Sequence, residues 1–274
     1  MHRFIYFVSV MALVQLMLAG CALPDNKNAD SKPNPEPHTL VIFAAASLSE
    51  AMHELAERFE SQHPGVTVVI DAKSTSDHRK DLESGAKADL FAFVSKLEME
   101  KSEQSGVIET GRARIYMHNK LSLVVPKDNP ARISGLNDLN RPGLRIAMAS
   151  EEFPIGRYTL ECLDKLKATS EFGGAWHGGM LRNIVSRDGN ARGVLSKVQK
   201  REVDVGFVYA SDLLGRDPDA VAGFPIPDAY NVRADYLVAP VKGSKQSGLA
   251  EDFMDLMQSK EGRAVFEKRG FITN

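Results

Sequence analysis

The chain has 274 residues, with 34 lysines and arginines against 36 aspartates and glutamates and a formal net charge of −2. This balance, without a strongly basic stripe, argues against a nucleic-acid-binding protein. The length allows one or two domains with substantial cores. Of the two cysteines, Cys162 lies on an apolar helical stripe, which predicts a buried core residue rather than a disulfide partner.

The N-terminal residues have the pattern of an export signal. Arg3 precedes an apolar run over 4–18, which is short for a membrane span. The run ends in Leu18-Ala19-Gly20-Cys21, which resembles a bacterial lipobox and implies cleavage before Cys21 and acylation of its sulfur. An ordinary secretory signal cleaved nearby is the alternative. We predict a signal peptide over 1–20 and an exported protein, lipid-anchored to a bacterial membrane in the periplasm or at the cell surface.

Residues 21–38 are predicted to be a flexible linker between the lipid and a globular domain. Asparagine, aspartate, lysine, serine and proline dominate this stretch, and it shows no apolar periodicity. Such a composition cannot bury enough apolar surface to fold.

Beyond the linker, predicted strands and helices alternate, which is typical of an α/β fold. Apolar runs predict strands over 41–43, 66–70, 89–94, 121–125, 144–149, 204–209 and 236–241. Helical spacing predicts helices over 48–59, 77–84, 96–105, 157–167, 194–198, 249–257 and 262–268. We predict two lobes, each a mostly parallel sheet flanked by helices. Lobe I comprises 39–121 and 236–274, and lobe II comprises 122–235.

Polar turns recur where predicted strands pass into helices, at Ser47, at 74–76, at Ile155-Gly156 and at Asn190-Ala191. Open α/β sheets bind ligands at such positions, where exposed N–H groups and helix dipoles favour an anion. Two of the turns come from each predicted lobe, and ligand sites prefer interfaces between lobes. For Ser47 the alternative is a helix cap, because Ser47-x-x-Glu50 fits a capping box.

Seven short motifs occur in order along the chain: 43–48 (FAAASL), 85–91 (GAKADLF), 121–125 (LSLVV), 154–158 (PIGRY), 191–195 (ARGVL), 206–212 (GFVYASD) and 266–271 (FEKRGF). Together they resemble the molybdate-binding proteins that serve ATP-driven molybdate importers, a family of bacterial periplasmic solute-binding proteins. The resemblance implies a two-lobed periplasmic-binding-protein fold with a ligand cleft between the lobes. It also implies a monomeric receptor that captures molybdate or tungstate and delivers it to an ABC-importer permease, without a cofactor.

In that family, hydroxyls and backbone N–H groups from both lobes hold the tetrahedral oxyanion without a countercharge. Carried onto this sequence, the resemblance implies ligand contacts from Ser47, Thr75, Ile155, Ala191 and Tyr209. These residues would surround the metal of the oxyanion, whereas a protein-bound metal is not expected, because the seven histidines form no HxxxH or His/Cys cluster. Neutral donors at helix ends suit a fully ionised dianion, and they cannot accept the proton of a singly protonated phosphate.

The second turn is more charged than the family pattern. We interpret His78 and Arg79 as part of a solvated helix face. If either pointed inward, the ligand would be another oxyanion or a small organic anion. The stretch 94–99 also lacks the aspartate and tryptophan that the family pattern has there. Tyr209 has an alternative as a strand-end aromatic with its hydroxyl in water, and Arg192 is interpreted as a structural ion-pair partner.

An enzyme is the rival class. No GxSxG elbow, P-loop or paired-carboxylate signature is present, and Ser47 has no evident base partner in the sequence. A third possibility is a sensing module that reports a ligand to a membrane partner instead of delivering it. We predict a binding protein and not an enzyme.

Overall fold

The computed structural model of the protein describes residues 38–214 and 220–273, so the predicted signal peptide, Cys21 and the linker up to Pro37 lie outside the described residues. The strands are β1 (His38–Ala45), β2 (Val66–Lys73), β3 (Leu90–Val94), β4 (Arg114–Asn119), β5 (Leu121–Pro126), β6 (Ile146–Ala149), β7 (Ile184–Asp188), β8 (Val205–Tyr209), β9 (Val221–Pro225), β10 (Ala234–Pro240) and β11 (Ile272–Thr273). The α-helices are α1 (Ser49–Gln62), α2 (Thr75–Glu83), α3 (Lys96–Gln104), α4 (Pro154–Lys167), α5 (Gly173–Arg182), α6 (Ala191–Gln199), α7 (Ser247–Gln258) and α8 (Lys260–Glu267). Short 3-10 turns span Ala46–Leu48, Leu136–Asn140 and Ala210–Leu213.

The strands form two mixed sheets, with orders β11-β4-β10-β3-β1-β2 and β7-β6-β8-β5-β9. In the first sheet β1 is parallel to β2 and β3, and in the second β6 is parallel to β7 and β8. The remaining ladders are antiparallel. The two-lobed α/β fold is therefore confirmed, but the expectation of mostly parallel sheets needs correction. The chain passes from β4 in the first sheet into β5 in the second through Lys120 alone.

Helices cover both faces of the first sheet. All five residues of β3 are buried, and they alternate between two cores. Leu90, Ala92 and Val94 join the core beneath α1, α7 and α8, whereas Phe91 and Phe93 join the core beneath α2 and α3. A strand buried on both faces must be apolar throughout, which is why its sequence is a continuous apolar run.

The second sheet is covered in the same way, by α4 and α5 on one face and by α6 on the other. Cys162 of α4 is completely buried, which confirms its prediction as a core residue. Burial raises the pKa of the Cys162 thiol to about 12, so the thiol stays protonated at neutral pH.

Five elements were not predicted from the sequence: β4, α5, β7, β9 and β11. The strands β7, β9 and β11 lie at sheet edges, where half-exposed residues give a weak apolar signal. The helix α5 is rich in glycine, which disfavours helix by about 1 kcal/mol per residue. Tertiary packing offsets this cost, because Trp176 and Met180 are buried. A Cβ added to Gly179 would lie 3.0 Å from Asn140 Cβ, so glycine lets α5 approach that turn closely.

His78 is fully buried, so the prediction that it belongs to a solvated helix face is wrong. Its ring stacks on Phe43 with centroids 4.3 Å apart. Its Nε2 lies 3.0 Å from the carbonyl oxygen of Asp71, and because a carbonyl only accepts, Nε2 carries the hydrogen. Nδ1 is buried and has no hydrogen-bond partner among the described residues. Burial lowers the pKa of His78, because desolvation penalises the charged ring.

We expect this histidine to make the fold acid-sensitive. In the unfolded chain His78 binds a proton below about pH 6.5, whereas the folded protein keeps it neutral until its lowered pKa is reached. The free energy of unfolding should therefore decrease as the pH is lowered from about 6.5 to the pKa of the folded state. Urea unfolding at pH 7.5 and pH 5 should show this loss in the wild type and a smaller loss in His78→Phe. His53→Gln, on an exposed helix position, should behave as the wild type; equal losses in wild type and His78→Phe would contradict the assignment.

Candidate functional site

A small cavity of about 30 Å³ lies where elements of the two sheets meet. It is far smaller than the roughly 300–1,000 Å³ of pockets that hold drug-sized ligands, so it suits a ligand of few atoms. Its lining consists of Ala45, Ala46, Ser47, Ser74, Thr75, Val94, Phe153, Pro154, Ile155, Gly189, Asn190, Ala191, Arg192 and Tyr209. The five residues implied by the family resemblance all belong to this set.

Three helices begin at the cavity. Thr75 is the first residue of α2, Ile155 is the second residue of α4, and Ala191 is the first residue of α6. The first N–H groups of a helix have no intrahelical partner and carry a partial positive charge. Three such ends directed at one small cavity make it attractive to an anion through backbone groups alone.

Local sequence explains where these helices start. Pro154 occupies the first position of α4, where its missing N–H costs nothing. A Cβ on Gly156 would lie 1.9 Å from the carbonyl oxygen of Ser150, so only glycine lets the helix begin against that turn. Ser74 caps α2 by accepting from Asp77 N at 3.2 Å. The helix therefore starts two residues before its predicted beginning.

Asn190 has the same role for α6, because its Oδ1 accepts from Gly193 N at 3.0 Å. With its oxygen turned to the helix, the amide NH₂ group of Asn190 remains available to the cavity that this residue lines.

Thr75 is 2% exposed, and its hydroxyl is oriented by the backbone. Val94 N donates to Thr75 Oγ1 at 3.2 Å. Because a backbone N–H can only donate, this contact makes Thr75 Oγ1 the acceptor and leaves the hydroxyl hydrogen for another partner. Thr75 lines the cavity, so that hydrogen is available to a ligand there.

Ser47 does not cap a helix, so the capping-box interpretation is wrong. The N-cap positions of the 3-10 turn and of α1 are Ala45 and Leu48, and neither makes a side-chain capping bond. The chain forms a 3-10 turn before α1 begins, which places Ser47 inside that turn. Its Oγ lies 2.8 Å from the hydroxyl oxygen of Tyr236.

Tyr209 ends β8 and is 4% exposed, so its alternative interpretation, with the hydroxyl in water, does not fit. Its backbone N–H donates to Asp212 Oδ2 at 2.9 Å, which fixes the end of the strand. Burial raises the pKa of Tyr209 well above its ordinary value. The phenol therefore stays protonated at neutral pH and can donate a hydrogen bond.

Charged side chains contribute little to the lining. Among the described residues, Arg192 is the one charged residue that lines the cavity, so the lining is not entirely free of basic residues as the family pattern implies. Neither His78 nor Arg79 lines it. The remaining walls are apolar, with Val94 and Phe153 among them, and such walls strengthen hydrogen bonds to a bound ion.

A buried carboxylate connects the two sides of the cavity. Glu98, on α3, has no exposed surface. It accepts from Ser76 Oγ at 3.2 Å, from Arg79 Nε at 2.8 Å and from Arg157 Nη2 at 2.8 Å. The single hydroxyl hydrogen of Ser76 is shared between Glu98 and the carbonyl oxygen of Glu152, which lies 3.1 Å from Ser76 Oγ. Because Ser76 follows Thr75 and Arg157 lies two residues after Ile155, these bonds hold two of the turns that line the cavity against each other.

The prediction that Arg79 belongs to a solvated helix face is also wrong. Its side chain is only 13% exposed and pairs with both Glu98 and Glu83, so it is not part of a solvated face. The physical reason is the buried charge on Glu98, which requires cationic partners close by.

Some residues of the site were not among the predicted contacts. Ser74 and Asn190 immediately precede helices, so their preference for N-cap positions is a signal that would have found them. Tyr236 lies 189 residues from Ser47 along the chain, and Glu98 lies 59 residues from Arg157. No local pattern predicts such contacts.

In the ranges 38–214 and 220–273, no helix is both long and apolar enough to cross a bilayer. In the same ranges, no group of three histidine, cysteine, aspartate or glutamate side chains is placed to hold a metal ion.

Two lobes around a small anion-attracting cleft define a solute-binding protein. The family described as bacterial extracellular solute-binding protein matches residues 40–272, and the chain belongs to this family. The predictions of export and of a binding protein that is not an enzyme are thereby confirmed.

Several relatives match almost the whole chain. It is 30% identical over 264 residues to the molybdate-binding protein ModA of Mycobacterium tuberculosis, covering 96% of this chain and 95% of that protein. It is 30% identical over 268 residues to the putative ABC transporter substrate-binding lipoprotein YvgL of Bacillus subtilis, covering 97% of each. Among solved structures, the substrate-binding domain of a putative molybdenum ABC transporter from Clostridium difficile is similar, with a TM-score of 0.66 and 26% identity over 86% of this chain and 99% of that one.

We expect Glu98→Gln to destabilise the protein. The substitution keeps the side-chain shape but leaves Arg157 without its anion and Arg79 with Glu83 alone, and breaking a buried pair costs about 3 kcal/mol. Glu83→Gln is the matched control, because Glu83 pairs with the same arginine from a 29% exposed position and should cost less than about 1 kcal/mol. Urea unfolding of both variants compares the two losses. Similar values would show that Glu98 does not hold the site together.

Proposed function

We propose that this protein captures a tetrahedral oxyanion, molybdate or tungstate, and delivers it to the permease of an ABC importer. The observation that carries the proposal is that hydroxyl and backbone donors from both sheets line one small cleft. The name of one relative, a molybdate-binding protein, supports the choice of ligand. The name of the other, a putative ABC transporter substrate-binding lipoprotein, supports delivery to an ABC importer.

In this proposal, the hydroxyls of Ser47, Thr75 and Tyr209 and the backbone N–H groups of Ile155 and Ala191 bind the oxygens of the anion. A fully ionised dianion offers acceptors on every side, and preoriented donors need little reorganisation to meet it. A donor set of fixed spacing selects by radius and by protonation state. The near-equal sizes of molybdate and tungstate make both ligands of the same site.

We further propose that lobe I comprises 39–121 and 236–274 and that lobe II comprises 122–235. In this proposal the protein is a monomer, and its two lobes close on the ligand. The direct passage from β4 to β5 and the return into β10 support this division, because they are places where the backbone can bend. The bonds of Glu98 to Ser76 and Arg157 are placed to hold the closed form.

The ligand is tested by calorimetry with molybdate, tungstate, sulfate and phosphate. We expect molybdate and tungstate to bind well ahead of the other two. A ligand that binds only the folded protein should also raise its stability by about 2.7 kcal/mol at a hundredfold excess over Kd. Ser47→Ala and Thr75→Ala should each weaken molybdate binding by about ten- to a hundredfold, since each removes a hydrogen bond to a charged group.

Ser259→Ala is the control for these variants. Ser259 caps α8 by accepting from Gly262 N at 3.0 Å and does not line the cleft. Its loss should lower stability by about 1 kcal/mol without changing affinity. If sulfate or phosphate bound more tightly than molybdate, the site would serve another oxyanion.

We also propose that the mature protein is anchored through lipid-modified Cys21. The lipobox pattern over 18–21 supports this anchor, and the relative named a lipoprotein is consistent with it. Mass spectrometry of protein from the producing cell should show an acylated N-terminal cysteine, and Cys21→Ser should be released from membranes. An unmodified N-terminus elsewhere in the linker would exclude the anchor.

A further inference from the structure

The contact between Ser47 and Tyr236 bears on how the cleft recognises an anion. The two hydroxyl oxygens are 2.8 Å apart, and either one could be the donor. If Ser47 donated to Tyr236, Ser47 Oγ would present lone pairs to the cleft and repel an anion. If Tyr236 donates, the hydrogen of Ser47 is free to point into the cleft.

Asn119 determines which of these arrangements holds. Lys120 N lies 2.9 Å from Asn119 Oδ1. Because a backbone N–H can only donate, the amide oxygen of Asn119 must face Lys120. The amide nitrogen then faces Ser211 Oγ at 2.8 Å and the Tyr236 hydroxyl at 3.4 Å.

The amide nitrogen can only donate, so Tyr236 receives a hydrogen from Asn119, and the oxygen of that amide is turned away. The acceptor that remains within reach of the Tyr236 hydroxyl among the described residues is Ser47 Oγ. Asn119 and Tyr236 have no exposed surface, so bulk water does not compete for these bonds. Burial raises the pKa of Tyr236, which keeps the phenol protonated.

We infer that Asn119 and Tyr236 are positioning residues, which orient the Ser47 hydroxyl as a donor toward the anion. The inference rests on the proposed oxyanion site and adds a specificity device behind it. The direction of every bond follows from one backbone N–H, whose hydrogen cannot move. With its hydrogen directed into the cleft, Ser47 gives a hydrogen bond to a fully ionised anion more readily than it accepts the proton of hydrogen phosphate.

Tyr236→Phe tests this arrangement. Without the phenol, Ser47 can turn its hydrogen elsewhere and present a lone pair to the cleft. We expect molybdate affinity, measured by calorimetry, to fall about tenfold. Phosphate affinity, measured by displacement, should fall less or rise, so the preference for molybdate over phosphate should narrow. If the substitution only disturbed the structure, it would weaken the binding of both anions alike and leave the ratio of their affinities unchanged.

Tyr116→Phe is the matched control. Tyr116 is also buried, and its hydroxyl has no hydrogen-bond partner among the described residues. The Tyr116→Phe variant also removes a buried phenolic hydroxyl, but this hydroxyl does not bond to Ser47. Affinity for molybdate and its ratio to phosphate should both stay at wild-type values.

A double-mutant cycle shows whether Tyr236 acts through Ser47. The Ser47→Ala/Tyr236→Phe protein should bind molybdate as Ser47→Ala does, because the positioned hydroxyl is already gone. If the two losses multiplied, or if Tyr236→Phe bound both anions as the wild type does, the inference would be overturned. Should Tyr236→Phe fail to fold, Asn119→Ala enters the same cycle, with the same expected coupling.

A wild-type protein that does not bind molybdate refutes the proposed function. A wild type that binds molybdate, with a Tyr236→Phe variant that keeps its full selectivity over phosphate, refutes only the positioning role.

Discussion

The buried carboxylate of Glu98 is the interaction on which the site depends. A charge without exposed surface is costly unless it is fully paired, and Glu98 collects its partners from both sides of the cleft, through Ser76 and Arg157. The two partners sit one and two residues beyond Thr75 and Ile155. Satisfying this one charge therefore also sets the distance between two turns of the cleft lining that follow strands of different sheets.

An anion in the cleft would also be a buried charge, but there neutral groups supply most of the stabilisation. The lining relies mainly on hydroxyls, helix N-termini and apolar walls, with Arg192 as its one charged residue among those described. The hydrogen-bond direction of two of its hydroxyls is fixed by backbone N–H groups, which can only donate. Val94 N fixes the hydroxyl of Thr75 directly, and Lys120 N fixes that of Ser47 through Asn119 and Tyr236. Such a set is already oriented before a ligand arrives, with its hydrogens available to an anion.

Much of the architecture could be predicted from the sequence. The apolar runs of β3 and β5 and the apolar stripes of α1 and α4 are local signals, because burial on one or two faces dictates residue type every second or every third to fourth position. The glycine-rich helix α5 and the edge strands escaped prediction, since their stability comes from packing against distant elements. The sequence also did not show that β10 runs antiparallel to both of its neighbours, because strand direction depends on the path of the chain through the fold.

The five contacts implied by the family resemblance all line the cleft, and the chemistry of a helix start after a strand explains why their turns could be recognised locally. The sequence by itself determined the alternation of strands and helices, the export signal pattern and the turns that offer N–H groups to an anion. Only the tertiary structure decided that His78 and most of Arg79 are buried outside the cleft, that Glu98 joins its two sides, and that Ser47 contacts Tyr236 instead of capping a helix. Periodicity reports which face of an element is apolar, whereas a hydrogen bond between residues far apart in the chain exists only once the folded backbone has brought them together.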